Sequence, residues 1–462
     1  MSKDLLEDLK LFNSLVDELL KQEREAPVSK SIKVEELQRK VDVSLSDNPA
    51  IRDEFIRGLK KLILHTPKTA TNRFFNQLWG GRNSKAVLGD LLAVMLNTSM
   101  ATYKVAGPQI EIEREIIKQV CKIVGYGENS NGTFPTGGSM SNFMALVMAR
   151  DKINLEIREK GISQKLVAYA SENAHYSIAK NASFTGIGKE KVRYIKPNEK
   201  GQINLEEFEK AVEKDISEGY LPFFLMATAG TTVLCAFDDV HGLSSICKKH
   251  NIWLHLDGAF GGTVIFSDKY KYLINGVSKT DSFCFNAHKT LGTPLSSSII
   301  VVKDKKDLHN SFSYPAPYLY QTNDDDYNLG LTSFECGRRN NALKFWTLWK
   351  SVGKNGLGKI INHEFSLADT AREYVRNNPE YTLHSHDDSL AICFNYKNFD
   401  AVDLCTKIYQ ENELMVGHGS FNGDTFIRLV IVNAGNNKED ILEFFKILER
   451  FVLENKENIK KG

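Results

Sequence analysis

The feature that most constrains the fold is a series of short, largely apolar runs separated by helix-length segments. They are Lys165–Ala170, Val192–Ile195, Phe223–Ala227, Trp253–Leu256, Ser282–Phe285 and Ser298–Val302. Each is short for a helix and largely apolar rather than alternating, which is the pattern of a strand covered on both faces. Such strands with helices between them predict an α/β domain built on a mostly parallel sheet. Ligands of open α/β sheets collect beyond the carboxyl ends of the strands. Thr228, Asp257 and Lys289 all fall just past such ends and point to one crevice.

Around this domain the pattern changes. Residues 1–65 are polar and helix-periodic, with Leu5, Leu6, Leu9, Phe12, Leu15, Val16 and Leu19 forming one apolar stripe. Such a stripe needs cover, from the main domain or from another subunit. Residues 303–340 read as a loop containing Ser311–Tyr318 and the acidic run Asp324–Asp326, and loops of that length are usually functional or disordered. Helical periodicity returns at Asn341–Trp346. The tail reads as a small α+β domain with strands at Leu390–Phe394 and Phe426–Val432. The expected division is an N-terminal helical segment (1–104), a large domain (105–357) with a mobile loop at about 310–330, and a small C-terminal domain (358–462).

Bulk composition excludes several classes. The 462 residues suffice for two or three domains. The net charge of +1 offers no global field for nucleic acid. No stretch of about 18 uncharged apolar residues predicts a membrane span, and Met1–Glu7 lacks the apolar core of a signal peptide. The seven cysteines are scattered without a C-x-x-C pair, which argues against a metal site or a disulfide framework and fits a reducing, cytoplasmic setting.

Three segments together carry chemistry. Thr136–Asn142 (TGGSMSN) opens a helix; its glycines allow a tight turn, Ser139 and Ser141 are candidate caps, and a helix start favours an anion. Asp257 ends an apolar run and is followed by Gly258-Ala259-Phe260-Gly261-Gly262, small residues that leave room for a flat ring. Lys289 sits in Phe283–His288-Lys289, with His288 beside it. A phosphate site, a carboxylate for a pyridine nitrogen and a lysine for an aldehyde are the parts needed to hold pyridoxal 5'-phosphate. A desolvated lysine favours the neutral amine that attack requires. His175, in a strand-to-helix loop, is a candidate to stack on the ring and move a proton.

With these segments in order, the chain resembles the group II pyridoxal-phosphate-dependent amino acid decarboxylases, within them the glutamate and cysteine sulfinate (acidic amino acid) branch. The resemblance spans about Phe74 to Val432. It rests on FPTGGSMSN, AHYSIAKNASFTGIG, ATAGTTVLCAFDDV, IWLHLDGAFGG, FNAHKTLG and FECGRRNNALKFWTLWK. It implies the fold-type-I, pyridoxal-phosphate transferase-like α/β architecture and α-decarboxylation of an L-amino acid to amine and CO2. It implies that Lys289 joins the cofactor covalently, Asp257 meets the ring nitrogen, His175 stacks on the ring and Ala259 packs on the other face. Thr228 lies beside the cofactor, and Gly138, Ser139 and His288 hold the phosphate. It also implies a homodimer with sites at the interface, and a mobile loop whose tyrosine, matched by Tyr318 in Pro317–Gln321, protonates the substrate carbon once CO2 has left.

For substrate, the resemblance matches Phe74–Leu78, with Gln77, and Asn97–Ala101, with Ser99 and Ala101, to pocket-lining segments. It matches Arg428 to an arginine that meets a carboxylate, a role suited to its two-pronged fork. Ser99 fits the cysteine sulfinate and aspartate members better than the glutamate ones. Four departures stand out: Ala287 replaces a proline, Gly258-Ala259-Phe260 replaces Ala-Ala-Trp, Ala101 replaces an aromatic and Lys104 replaces a glutamate. The last two alter pocket size or charge and keep open a decarboxylase of an aromatic or other bulky amino acid. An aminotransferase or lyase on the same fold, and a catalytically silent binding protein, are the remaining alternatives.

Overall fold

The computed structural model describes residues 3–25, 28, 32–320 and 325–462. Gln321 and Asp324 of the expected mobile loop lie outside the described residues. The chain divides into two units, one of residues 1–81, 369–384 and 392–462, the other of residues 82–368 and 385–391.

The larger unit is built on a seven-stranded sheet. Its strands are β1 (Asn131–Thr133), β2 (Leu166–Ser171), β3 (Val192–Ile195), β4 (Leu221–Thr228), β5 (Trp253–Gly258), β6 (Ser282–Asn286) and β7 (Ser298–Val302). The spatial order is β1-β7-β6-β5-β4-β2-β3. β3, β2, β4, β5 and β6 pair in parallel, while β7 runs antiparallel to both β6 and β1. The expected mostly parallel sheet is therefore present. Burial on both faces explains the continuous apolar runs: every residue of β2, β5, β6 and β7 is buried.

Helix Gly138–Ile153 packs on the sheet and is buried at Ser141, Asn142, Met144–Ala149 and Asp151. It is apolar nearly all round because it is covered nearly all round. Its Met144, Leu146 and Met148 share a core with Leu166, Phe224, Met226 and Ile300. Residues 303–340 are less loop-like than their composition suggests: Lys305–Phe312 is a helix whose N-cap Asp304 accepts from the Lys306 N–H. The helical stretch Ala342–Asn377 is interrupted at Gly353, where φ is 67°.

The smaller unit holds a five-stranded sheet ordered Phe74–Phe75, Met415–Phe421, Asp424–Val430, Ala391–Tyr396 and Tyr381–Leu383. Helix Lys438–Asn455 starts with a reciprocal capping box between Asn437 and Asp440. The N-terminal stripe forms helix Lys3–Glu25, which packs against helix Arg52–His65. Its Leu6, Leu9 and Phe12 remain exposed. No described helix is long and apolar enough to cross a membrane.

Candidate active site

Three adjacent parallel strands deliver the central groups. β4 ends at Thr228, β5 carries Asp257, and β6 leads into the short helix Ala287–Thr290 that contains Lys289. Thr228 is the register partner of Asp257, and Asp257 is the partner of Cys284. Side chains of register partners share a face of the sheet, and helix Gly138–Ile153 covers that face, its Asn142 donating to Asp257 Oδ2 at 2.7 Å. A cavity of about 220 Å³ opens there, lined by Gly138, Ser139, His175, Thr228, Asp257, Ala259 and Lys289 together with Asn142, Tyr176, Gly230, Thr232, Phe260 and Asn286.

The walls are tightly specified. A Cβ on Gly138 would meet Ala259 Cβ at 3.0 Å and Asn286 Nδ2 at 3.1 Å. Gly230 has φ +88°, and a Cβ there would stand 2.8 Å from the Gly261 backbone nitrogen, so two separate constraints select glycine. The expected capping by Ser139 or Ser141 is not what forms. The N-cap is Gly137 without a side-chain cap, and Ser141 Oγ instead lies 2.9 Å from Ser298 Oγ and 3.4 Å from the Gly137 carbonyl. Glycine fits the close approach at this turn, and no side-chain cap takes up the N–H groups of the helix start, where an anion is favoured.

Electrostatics follow from enclosure. Burial pushes the Lys289 ammonium below the ordinary lysine range, with the Asp257 carboxylate opposing. Burial also lowers His175, again against Asp257, and its Nδ1 accepts from the Ser177 N–H at 3.3 Å. His288 is buried and pulled down to about 4. Its Nδ1 lies 2.9 Å from the Ser297 nitrogen and 3.0 Å from the Ser297 carbonyl oxygen, so the Ser297 backbone holds this edge of the ring. The Thr228 Oγ1 is buried without a hydrogen-bond partner among the described residues, an unusual state for a hydroxyl.

The other expected site residues are not among this lining. Ser99 Oγ accepts from the Arg338 N–H at 3.3 Å, and buried Ala101 accepts from the Gly330 N–H at 2.9 Å. Neither lines this cavity. Gln77 is exposed and Arg428 half-buried in the smaller unit, where Arg428 donates to the Asn76 carbonyl at 2.8 Å. Tyr318 is exposed in a turn. Among the described residues only Glu209, Glu213 and His250 cluster as metal ligands do, and Lys249 already pairs with both carboxylates at 2.8 and 3.4 Å.

Sequence reasoning assigned no role to Asn142 or Asn286. The signal for Asn142 was an amide directly before the apolar run Phe143–Ala149 of the helix. Asn286 closes β6, where its Oδ1 accepts from Ser298 Oγ at 2.6 Å.

A family model described as the pyridoxal-dependent decarboxylase conserved domain matches residues 35–397. Acidic amino acid decarboxylase GADL1 of Bos taurus is 33% identical over 431 residues, spanning 88% of this chain and 82% of that protein. Cysteine sulfinic acid decarboxylase of Rattus norvegicus is 33% identical over 402 residues, spanning 84% and 80%. The crystal structure of mouse CSAD superposes with a TM-score of 0.91 at 29% identity, covering 97% of this chain and 98% of that one.

Proposed function

The chain belongs to the pyridoxal-dependent decarboxylases, and on that premise we propose that its substrate is an acidic L-amino acid, cysteine sulfinate or aspartate before glutamate. It is an amino acid decarboxylase that uses pyridoxal phosphate. The substrate proposal is supported by the two relatives at 33% identity, whose names specify acidic substrates. The observation that carries the proposed location of the chemistry is the convergence of Thr228, Asp257 and Lys289 on one cavity from the ends of three neighbouring strands.

The cavity residues fit the cofactor. Thr228 Oγ1 lacks a partner among the described residues, the start of helix Gly138–Ile153 carries no side-chain cap, and Gly138 keeps its wall free of a side chain. When bound, pyridoxal phosphate supplies an electron sink for the bond broken at Cα. In our reading Lys289 is its covalent anchor, helped by the burial that favours a neutral amine. Asp257 would hold the proton of the ring nitrogen, His175 and Ala259 would pack on the two faces of the ring, and Thr228 would lie beside it. Gly138, Ser139 and His288 would bind the phosphate. Tyr318 delivers a proton to Cα after CO2 departs. Arg428 grips the distal acid group of the substrate, with Gln77, Ser99 and Ala101 shaping its surroundings.

The same proposal includes a cytoplasmic homodimer. The seven cysteines are free, as a reducing compartment permits. Exposed Leu88, Leu91, Leu92, Met95 and Leu96 on helix Ser84–Leu96 form an apolar surface of the kind a subunit covers. Sedimentation equilibrium gives twice the chain mass if this is right. The substrate is tested by incubating purified protein and pyridoxal phosphate with cysteine sulfinate, aspartate, glutamate and aromatic amino acids. Hypotaurine or β-alanine is the expected product. An aromatic amine formed in preference would overturn the acidic assignment and indicate that Ala101 admits a bulky side chain.

A further inference from the structure

We propose that His255 and Asn142 are positioning residues for Asp257, the last links of a buried hydrogen-bonded chain that runs Trp253–Ser282–His255–Asn142–Asp257. This inference rests on the reading that Asp257 holds the cofactor ring nitrogen.

Each link is short. Trp253 Nε1 donates to Ser282 Oγ at 2.9 Å, and Ser282 Oγ lies 2.8 Å from His255 Nδ1. His255 Nε2 lies 3.1 Å from Asn142 Oδ1, and Asn142 Nδ2 donates to Asp257 Oδ2 at 2.7 Å. The other oxygen of Asp257 accepts from the Ala259 N–H at 3.0 Å. Cys284 lies against the same chain, its Sγ 3.6 Å from Asn142 Oδ1 and 3.8 Å from Asp257 Oδ1. His255 has no exposed surface, and burial pulls its pKa down to about 4, so its ring carries one proton.

The position of that proton follows from the ends of the chain. An indole N–H can only donate, and a carboxylate can only accept. Asn142 must therefore turn its NH2 towards Asp257, where its two N–H groups serve Asp257 Oδ2 and Ser177 Oγ. Its carbonyl oxygen is left facing His255 Nε2, which must be the donor. His255 Nδ1 is then the acceptor and takes the Ser282 hydroxyl proton, while Ser282 Oγ accepts from Trp253. The opposite tautomer would set the Nε2 lone pair against the Asn142 oxygen. One arrangement satisfies all five groups, and in it Asp257 Oδ2 is held from behind by a donor that is itself held. An Asp257 turned away from the cavity would leave the Asn142 N–H, and through it His255, unpaired in a buried place.

The test uses the full-length protein stripped of cofactor and titrated with pyridoxal phosphate, read by fluorescence quenching, with kcat and KM measured on the reloaded enzyme. In His255→Gln the amide supplies a donor towards Asn142 and an acceptor towards Ser282, and affinity stays within about 3-fold of the parent. In His255→Leu the donor is lost, and affinity and kcat each fall about 10-fold or more with KM little changed. Ser282→Ala, smaller and outside the cavity lining, gives the same direction of change by about 3-fold or more and serves if the leucine variant fails to fold. Parental cofactor affinity in His255→Leu or in Ser282→Ala overturns the proposal. So do equal losses in the Gln and Leu variants that track a lowered melting temperature of the cofactor-free protein, because that pattern marks packing. A parent that binds no pyridoxal phosphate at all overturns instead the reading of Asp257 on which the inference rests.

Discussion

Arg338 and Glu113 form an ion pair of 2.6 Å with both side chains 3% exposed. Arg338 also donates to Thr133 Oγ1 at 3.0 Å in β1 and to the Met100 carbonyl at 3.4 Å. One guanidinium thus fastens the Ser99–Ala101 segment to the edge of the large sheet. Removing one partner of such a pair strands the other charge in a desolvated place. Glu113→Ala should destabilise the protein by about 3–5 kcal/mol, measured by chemical denaturation. A loss under about 1 kcal/mol, as for a surface pair, would contradict this account.

Lys289→Ala should abolish amine production while leaving the circular dichroism spectrum unchanged. Lys289 belongs to a four-residue helix whose buried residues are Ala287, His288 and Thr290, so its truncation removes the proposed covalent anchor and leaves those side chains in place. Borohydride treatment followed by mass analysis checks the anchor: parent protein should retain the cofactor mass and the variant should not.

Acid should weaken the fold through its buried histidines. Burial holds His255 and His288 at about 4 in the folded protein, below the 6.5 of an unfolded histidine. Between those values the unfolded chain binds protons that the folded chain refuses, so this stability is fully present above pH 6.5 and is lost as pH falls. At pH 5 each costs about 2 kcal/mol relative to pH 7. Asp238, pushed up to about 6 by burial, acts in the opposite sense over part of the window. Comparison with His255→Gln cancels such other groups: the variant should lose about 2 kcal/mol less than the parent between pH 7 and pH 5. Equal losses would mean that His255 takes up a proton when folded.

Glu364 is completely buried, and neither carboxyl oxygen has a hydrogen-bond partner among the described residues. Burial raises its pKa well above 4.5, so the folded protein keeps a proton that the unfolded chain releases, and stability falls as pH rises above 4.5. Glu364→Leu should therefore stabilise the protein by about 1–4 kcal/mol at pH 8, with a smaller gain near pH 5. Denaturation midpoints at the two pH values decide it, and a destabilised variant at pH 8 would refute the argument.

What could be read from the residues followed burial. The six apolar runs all became strands because a sheet covered on both faces writes its pattern continuously into the chain. β1 escaped notice because Asn131-Gly132-Thr133 has no such pattern and is held by its partner strand: a Cβ on Gly132 would meet the Ile300 carbonyl at 2.3 Å. Helix Lys305–Phe312 was hidden in a polar stretch, although Asp304 was a legible cap. Thr228, Asp257 and Lys289 were legible as strand-end residues, and Gly138 and Ser139 as a helix start. His255 was not, because a histidine inside Trp253–Leu256 reads as one polar interruption in an apolar strand. Its importance is visible only once Asn142 arrives from a helix more than a hundred residues away in the chain.

The chain behind Asp257 has a further consequence. Because a donor that cannot accept stands at one end and an acceptor that cannot donate at the other, it admits a single placement of its protons. It is an insulator rather than a wire: no hydrogen ion can hop along it, since the Trp253 indole nitrogen has no lone pair with which to take one up. Asp257 thus faces the cavity with its far oxygen already committed to a donor that has no second orientation.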